Sequence, residues 1–257
     1  MKSQYLSEYF FDHLVIIGRD RLDELSQKFS NQGFQLTPTA HHNLGSSNRL
    51  IMLDSSYIEL LGWEKGEMPK RAEIANQQIG LNAIVFRTDN AEECYEKLRQ
   101  QGFLVNPVQD LSRESEYENT KVLVKFKTVR FQEQPIPGIR IYFCEHITPN
   151  YVWQSHWLNH VNQITTLRKI NITTHNIQDV TNQFVALLNI QTTNTILSKD
   201  ISQIFLPNIE LSIHQSPANN AQSKITSICL SKGPKDIVDF KIDTNFFNSF
   251  LDSIYEN

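Results

Sequence analysis

The residue whose chemistry stands out is Glu59, a carboxylate in the middle of an otherwise apolar hairpin predicted over residues 48–63. Side chains alternate between the two faces of a strand. One face of the second strand therefore carries Tyr57, Glu59, Leu61 and Trp63. A buried carboxylate needs a partner, and a metal, a basic ligand group or an arginine would serve. The alternative is that Glu59 faces water, because strands often have one wet face.

The elements around Glu59 are predicted to form a βαβββ unit. The segment FDHLVII (residues 11–17) is a predicted strand that carries His13. A helix is predicted over residues 20–31, and Gly33 is its expected C-terminal cap. The apolar stripe of this helix consists of Leu22, Leu25 and Phe29. Three further strands are predicted over residues 34–40, 48–53 and 57–63.

The same unit recurs 69 residues further along the chain. Four positions match at this spacing: Leu22 with Ala91, Leu25 with Cys94, Phe29 with Leu98, and Gly33 with Gly102. A fixed period indicates the fold more strongly than local propensity does. The second unit is predicted as a strand over 81–87, a helix capped by Asp89 or Asn90, and strands over 121–131 and 139–144. The charged segment between them, over 109–120, is interpreted as a solvated loop.

A third, weaker unit follows. The helix stripe returns 155 residues after the first, as Ile177, Val180 and Phe184. The segment LPNIELSIHQ resembles SSYIELLGW and places Glu210 like Glu59. An amphipathic terminal helix is predicted from Phe246 to Ile254. The fold class is therefore α+β with tandem βαβββ units and a third, partly degenerate one. We expect two domains: residues 1–148, with units at about 11–63 and 81–144, and residues 149–257.

Composition excludes several classes of protein. The 24 basic and 28 acidic residues give a net charge of −4, which argues against the basic surface that nucleic acids require. No apolar run approaches the length of a membrane helix, and the N-terminal segment is too polar for a secretory signal. The cysteines, Cys94, Cys144 and Cys229, are odd in number and lack metal-site spacing. The simplest interpretation is reduced thiols in a cytoplasmic protein.

The tandem βαβββ units, with His in the first strand and Glu in the last, resemble the vicinal oxygen chelate superfamily. The segments DHLVII, HHNLGSSN and YIELL are similar to its glyoxalase-like domain group, of the glyoxalase/bleomycin resistance/dioxygenase type. So is the later pattern of His146, Trp153, Trp157, His160 and Asn162. The resemblance covers roughly residues 11–165. It implies cup-shaped mixed sheets around a small-molecule site, but not one reaction, because a fold does not fix a function.

In metal-dependent members of the superfamily, ligands come from the first and last strand of each unit. The resemblance thus implies His13 and Glu59 as metal ligands and catalytic residues, and this pair suits Mn, Fe, Ni or Zn. The corresponding positions of the second unit are Asn82 and Tyr142, which are poor replacements. We therefore expect one weakly bound divalent metal, not needed for folding, and no nucleotide cofactor. Further candidate substrate-binding residues are His41, His42, Asn48, Trp63, Asn82, Tyr142, Trp157 and His160.

Strand phase supports a shared pocket independently. His13 is predicted to share a strand face with Val15 and Ile17, and Tyr142 with Cys144. Asn82 is predicted to share one with Ile84 and Phe86. One polar residue at the same register on each central strand is typical of a ligand pocket.

Two functions compete. The first is a lyase or isomerase in which a divalent ion polarises vicinal oxygens, while Glu59 or a histidine moves a proton. The second is a protein that sequesters a planar metabolite without chemistry, between Trp63, Trp153 and Trp157. The retained His13 and Glu59 favour the first, and the missing ligands favour the second. We expect a small-molecule partner, no nucleic acid and no membrane, and the resemblance allows a homodimer.

Overall fold

The computed structural model describes residues 9–67, 72–191, 194–216, 222–233 and 240–251. Its α-helices are α1 (Leu22–Asn31), α2 (Ala72–Ala75), α3 (Ala91–Gln100), α4 (Ile177–Leu187) and α5 (Asn248–Leu251). The first sheet contains β1 (Phe10–Arg19), β2 (Ala40–His41), β3 (Ser47–Met52), β4 (Tyr57–Gly62), β5 (Gly80–Arg87), β6 (Gln109–Tyr117), β7 (Thr120–Arg130) and β8 (Arg140–His146). The second contains β9 (Thr166–Thr174), β10 (Thr195–Leu197), β11 (Ile201–Leu206), β12 (Ile209–Gln215), β13 (Lys224–Ser231) and β14 (Phe240–Asp243). Short 3-10 helices cover Pro149–Tyr151, Ser155–Leu158 and Thr244–Phe247.

Two βαβββ units meet at the centre of the first sheet, which has the strand order β2-β3-β4-β1-β5-β8-β7-β6. The first strands of the units, β1 and β5, pair antiparallel. Within each unit the first and last strands pair in parallel, β1 with β4 and β5 with β8. This confirms the α+β class and the tandem units predicted from the sequence.

The first sheet curls until its two ends meet, which makes it a nearly closed cup. His42, just after β2, forms an isolated bridge with Arg113 of β6 at the opposite edge. The Asn43 N–H donates to the Ser112 carbonyl at 3.0 Å, and the Ser112 N–H donates to the Asn43 side chain at 3.2 Å. These bonds use backbone groups that an open edge strand would leave to water.

The two faces of this sheet have different neighbours. Val15, Ile17 and Val85 pack with one another inside the cup. Leu14 and Ile16 pack on the other face, against the helices and the second sheet. Alternation along β1 therefore separates a helix-covered core from a cup interior.

The helix stripes explain why the chain is helical at these positions. All six stripe residues of α1 and α3 are buried: Leu22, Leu25, Phe29, Ala91, Cys94 and Leu98. Asn90 caps α3, because its side chain accepts the Glu93 N–H at 3.1 Å. Gly33 and Gly102 follow their helices with φ of 83° and 89°, a region that favours glycine.

The second sheet repeats half of this arrangement, with the order β10-β11-β12-β9-β13-β14. Its β12 pairs in parallel with β9, as β4 does with β1, and α4 buries the predicted stripe residues. Glu210 lies opposite Lys169 in this pair, and Lys169 Nζ is 2.8 Å from its carboxylate. The third unit thus neutralises its glutamate with a lysine.

Several sequence predictions were wrong in detail. Residues 109–117 are not a loop but the strand β6, paired along its length with β7. Its charged side chains lie on a sheet edge, where charge discourages aggregation. The strand predicted over 34–40 is reduced to β2, because Pro38 cannot donate a ladder hydrogen bond. Residues 252–254 of the predicted terminal helix lie outside the described residues.

Some predictions stay open. The domain boundary between residues 148 and 149, the homodimer and the cytoplasmic location stay predictions.

Cys94, Cys144 and Cys229 are free and buried. Within the described ranges no helix combines the length and apolar character needed to cross a membrane.

Candidate functional site

His13 and Glu59 meet inside the cup. They lie on the neighbouring parallel strands β1 and β4, where His13 is opposite Tyr57 and Val15 is opposite Glu59. Two residues along a strand return to the same face, so the two side chains approach diagonally. His13 Nε2 lies 3.7 Å from Glu59 Oε2, with side-chain exposures of 4% and 8%. Glu59 is therefore a buried carboxylate with partners, rather than a solvated one.

Asp12 holds His13 in place. Asp12 is not among the site residues predicted from the sequence. His13 Nδ1 donates to Asp12 Oδ2 at 2.7 Å. The pairing of β1 with β5 skips from Phe11 to His13, so Asp12 lies at an irregularity of the ladder. Such a bulge re-aims a side chain that strict alternation would direct elsewhere. Because the Nδ1 proton is committed to Asp12, the Nε2 atom that faces Glu59 is free to accept or to ligate.

Asp12 is the centre of a buried polar network. It also accepts Arg87 Nε at 2.7 Å and His146 Nε2 at 2.9 Å. Burial raises the pKa of Asp12, but the charge of His146 and the hydrogen bonds from His13 and His146 outweigh it and hold the pKa well below 3.8. Asp12 is therefore a carboxylate anion surrounded by three basic side chains.

Cys144 lies beside this network. One ligand atom each of Asp12, Cys144 and His146 lie within 4.8 Å of one another. Burial, assisted by the charges of Asp12 and Glu59, raises the pKa of the Cys144 thiol well above its ordinary value. The Arg87 guanidinium on the same carboxylate opposes a bound cation. We therefore interpret the cluster as a support for His13.

Polar side chains from β3 and from the loop before it hold the other side of Glu59. Asn48 Nδ2 donates to Glu59 Oε1 at 2.7 Å. His42 Nε2 lies 3.9 Å from the same oxygen and 3.4 Å from Asn48 Nδ2. Asn48 Oδ1 is buried without a hydrogen-bond partner among the described residues. The candidates His42 and Asn48 thus belong to the group around Glu59.

Two tyrosines complete this group. Tyr142 OH lies 3.2 Å from His13 Nε2, and the Tyr57 ring stacks on the imidazole at 4.4 Å between centroids. Burial raises the pKa of both phenols, and Glu59 adds to the rise. Both are therefore neutral at pH 7, so Tyr142 donates to His13.

Asn82 lies outside this group. Its amide donates to Gln77 at 2.7 Å, and its carbonyl accepts Arg140 at 2.7 Å. Its predicted face-mates, Ile84 and Phe86, pack on the helix side of the sheet, not inside the cup. The prediction of one shared register for His13 and Asn82 was therefore wrong. A register shift in the β1–β5 ladder at Val15–Ile16 breaks the simple 69-residue correspondence.

A cavity of about 1030 Å³ opens above the group, between the loop before β3, the β6–β7 hairpin and the segment after β8. This volume suits a small organic ligand. Aromatic rings that line it include Tyr117, Tyr151, Trp153 and Trp157, and His41 also lines it. His13 and Glu59 are not among its lining residues, but Leu50, which is opposite Glu59 in the β3–β4 ladder, is one of them. Arg113 does line it. Burial lowers the pKa of Arg113, and the neighbouring Tyr57 and Glu59 partly offset this.

Trp63 and His160 do not line this cavity. Trp63 is 6% exposed and packs under the Arg19 guanidinium, 5.5 Å from the ring centre. His160 accepts the Gln35 N–H at 2.9 Å and donates to the Met52 carbonyl at 2.8 Å. Burial lowers its pKa. His160 thus ties the segment after β8 to β3.

The donor atoms around Glu59 fit a divalent ion. Two ligands at about 2.0–2.2 Å from one ion lie no more than about 4.4 Å apart. The imidazole nitrogens of His13 and His42 lie 3.7 and 3.9 Å from the Glu59 oxygens. Two nitrogens and a carboxylate suit Mn, Fe, Ni or Zn. The positive charge of Arg113 beside Glu59 repels a divalent ion, which favours weak metal binding.

Comparisons with solved structures support the fold. A hypothetical protein from Staphylococcus aureus superposes with a TM-score of 0.70 at 16% identity, over 90% of this chain and 96% of that chain. A xylose isomerase-like TIM barrel/4-hydroxyphenylpyruvate dioxygenase fusion protein gives 0.54 at 8% identity, over 88% and 36%. Such identities show the fold alone.

The family is shown by the sequence itself. No curated protein matches the chain. A family model described as "Glyoxalase-like domain" matches residues 11–188, which is more than half of the 257 residues. This match contains His13, Glu59, Asp12 and Arg113 and confirms the resemblance read from the motifs. The chain therefore belongs to the glyoxalase-like domain family of the vicinal oxygen chelate superfamily.

Proposed function

We propose that this protein is an enzyme of the lyase or isomerase type that moves a proton on a small metabolite, with Glu59 as the base and His13 beside it. The observation that carries the proposal is the buried contact of these two residues, with 3.7 Å between His13 Nε2 and Glu59 Oε2. Leu50, which is opposite Glu59 in the β3–β4 ladder, lines a cavity of about 1030 Å³. A purely structural strand residue would not need a carboxylate held by Asn48 on one side and His13 on the other.

Each neighbour of Glu59 has a distinct part in the proposed reaction. Asn48 holds Oε1 at 2.7 Å and thereby aims Oε2. Asp12 fixes the tautomer of His13 with the proton on Nδ1. The Nε2 atom of His13 therefore does not donate a hydrogen bond to Glu59, and the Glu59 carboxylate stays available for a substrate proton. Tyr142 donates to His13 at 3.2 Å and can transfer that hydrogen bond to a substrate oxygen. Positioned groups of this kind contribute to catalysis by holding the reactants and by stabilising developing charge.

A divalent ion, if bound, would be held by His13, Glu59 and His42. It would supply Lewis-acid polarisation of a substrate oxygen. Asn48, His13 and Tyr142 position the substrate, and Glu59 deprotonates it, whether or not the ion binds tightly. His41, Trp153 and Trp157, which line the cavity, would contact the body of the substrate.

Proton exchange in D2O tests the proposal directly. The wild-type protein is incubated with pyruvate and phenylpyruvate, whose C–H bonds lie beside a carbonyl group, and loss of the proton signal is followed by NMR. We expect exchange faster than the buffer background for a substrate that fits the cavity. A probe that binds, as shown by tryptophan fluorescence, but exchanges at the background rate would favour sequestration without chemistry.

Metal binding is predicted to be weak and dispensable for folding. A ligand at a hundredfold excess over its Kd stabilises the native state by about 2.7 kcal/mol, and a weak site does not reach that excess at micromolar metal. We expect EDTA to lower the Tm by less than about 2 °C, with small rises on adding Mn, Ni or Zn. His13→Ala should abolish these rises, whereas His175→Ala, at an exposed position, should retain them. A large loss of Tm on chelation would instead show a tight site.

A further inference from the structure

Arg113 is the one buried residue of β6, and it lines the cavity. Only 5% of its surface is exposed. Its strand neighbours Glu114 and Glu116 are exposed and also line the cavity. The closure of the cup through the His42–Arg113 bridge fixes the backbone of this arginine. Arg113 therefore lines the cavity on a fixed backbone, close enough to Glu59 for the two charges to interact.

The guanidinium has unused hydrogen-bonding capacity. Arginine carries five N–H donors in a planar fork. Within the part of the chain that the structure describes, none of them has a hydrogen bond or an ion pair. Burial lowers the pKa of Arg113, and the neighbouring Tyr57 and Glu59 only partly offset this. A buried cation without acceptors is costly, so such a site is completed by a ligand that supplies them.

We propose that Arg113 binds the carboxylate of the substrate, and that the substrate is a small aromatic or planar carboxylic acid. A carboxylate matches the guanidinium fork with two parallel hydrogen bonds. The rings of Tyr151 and Trp153 line the same cavity and would pack on the planar body. The proposal rests on the proposed function in placing the reacting carbon of this acid near Glu59.

Binding of matched probes tests this assignment without requiring turnover. Phenylacetate, its uncharged isostere phenylacetamide, and phenyl phosphate are titrated against the full-length protein by calorimetry. We expect phenylacetate to bind the wild type about tenfold to a hundredfold more tightly than phenylacetamide, as for a hydrogen bond to a charged group. Equal affinities for the acid and the amide, or no binding of the acid, would overturn the proposal. Tighter binding of phenyl phosphate would overturn the carboxylate assignment.

Variants separate ligand recognition from charge balance. Arg113→Met should remove the preference for the acid, and Arg113→Lys should weaken it, because lysine keeps the charge but loses the fork. Lys121→Met removes another cation that lines the cavity and should retain the preference. If Arg113 serves only to balance the charge of Glu59, Arg113→Met will change the Tm. The acid and the amide will then each bind the variant with the same affinity as they bind the wild type. That result overturns the proposal, and the wild-type comparison decides it even if the variant is unstable.

This test and the exchange test fail in different ways. Selective binding of the acid without proton exchange would support Arg113 as the carboxylate site and reject the proposed chemistry. Exchange at an undiminished rate in Arg113→Met would support the chemistry and reject this site.

Discussion

Asp12→Ala should destabilise the protein by about 3–5 kcal/mol at pH 7, because it removes the buried carboxylate that three basic side chains share. His13, His146 and Arg87 would lose their shared acceptor together. His146 Nδ1 already has no partner among the described residues, so its ring cannot compensate through that atom. Urea unfolding followed by tryptophan fluorescence measures the free energy of unfolding.

The control for Asp12 is a second aspartate that has an ion pair but is exposed. Asp23 accepts Arg49 at 2.9 Å, with 86% of its side chain exposed. Asp23→Ala should therefore cost less than about 1 kcal/mol. Equal losses in the two variants would show that the Asp12 network does not contribute as its burial implies. Asp12→Asn keeps the shape, and should lie between Asp12→Ala and the wild type.

The stability that Asp12 contributes should depend on pH on the acid side. Its pKa in the folded protein lies well below the ordinary value of 3.8. The native state therefore binds its proton less readily than the unfolded chain does. The contribution is fully present above the ordinary value and is lost as the pH falls from there through the folded pKa. The difference between the wild type and Asp12→Ala should accordingly shrink in acid.

Glu59→Gln should lower the rate of substrate proton exchange by about 10²–10⁴, the contribution typical of a positioned general base. Glutamine has the same shape and can still accept a hydrogen bond from Asn48, but it cannot take a proton. Binding of the substrate should change far less than the rate, since the cavity lies above Glu59 and its lining does not include this residue. Exchange rates measured by NMR and affinities measured by calorimetry separate the two effects.

Glu210→Gln is the matched control for Glu59. Glu210 occupies the corresponding strand of the third unit but is paired with Lys169 at 2.8 Å. Its substitution should leave the exchange rate within about twofold, an effect of less than about 0.5 kcal/mol. Glu59→Asp keeps the base and should retain part of the activity. An unchanged rate in Glu59→Gln would rule out this residue as the base.

The sequence alone determined the units, their helices and the proximity of His13 to Glu59. The reason is that strand alternation and helix periodicity are local properties. Leu22, Leu25 and Phe29 had to face one side of a helix, and Gly33 had to follow it. Once His13 and Glu59 were placed on the first and last strands of one unit, the parallel pairing of β1 with β4 made them neighbours.

Only the tertiary structure decided how the site is completed. Asp12 reaches His13 through an irregularity in the β1–β5 ladder, which alternation cannot predict. Arg113 lies in a segment whose charges indicated a solvated loop, yet pairing with β7 makes it a strand. Closure of the cup then buries that one residue against the loop that carries His42. Both effects depend on contacts between residues far apart in the chain, and such contacts leave no period in the sequence.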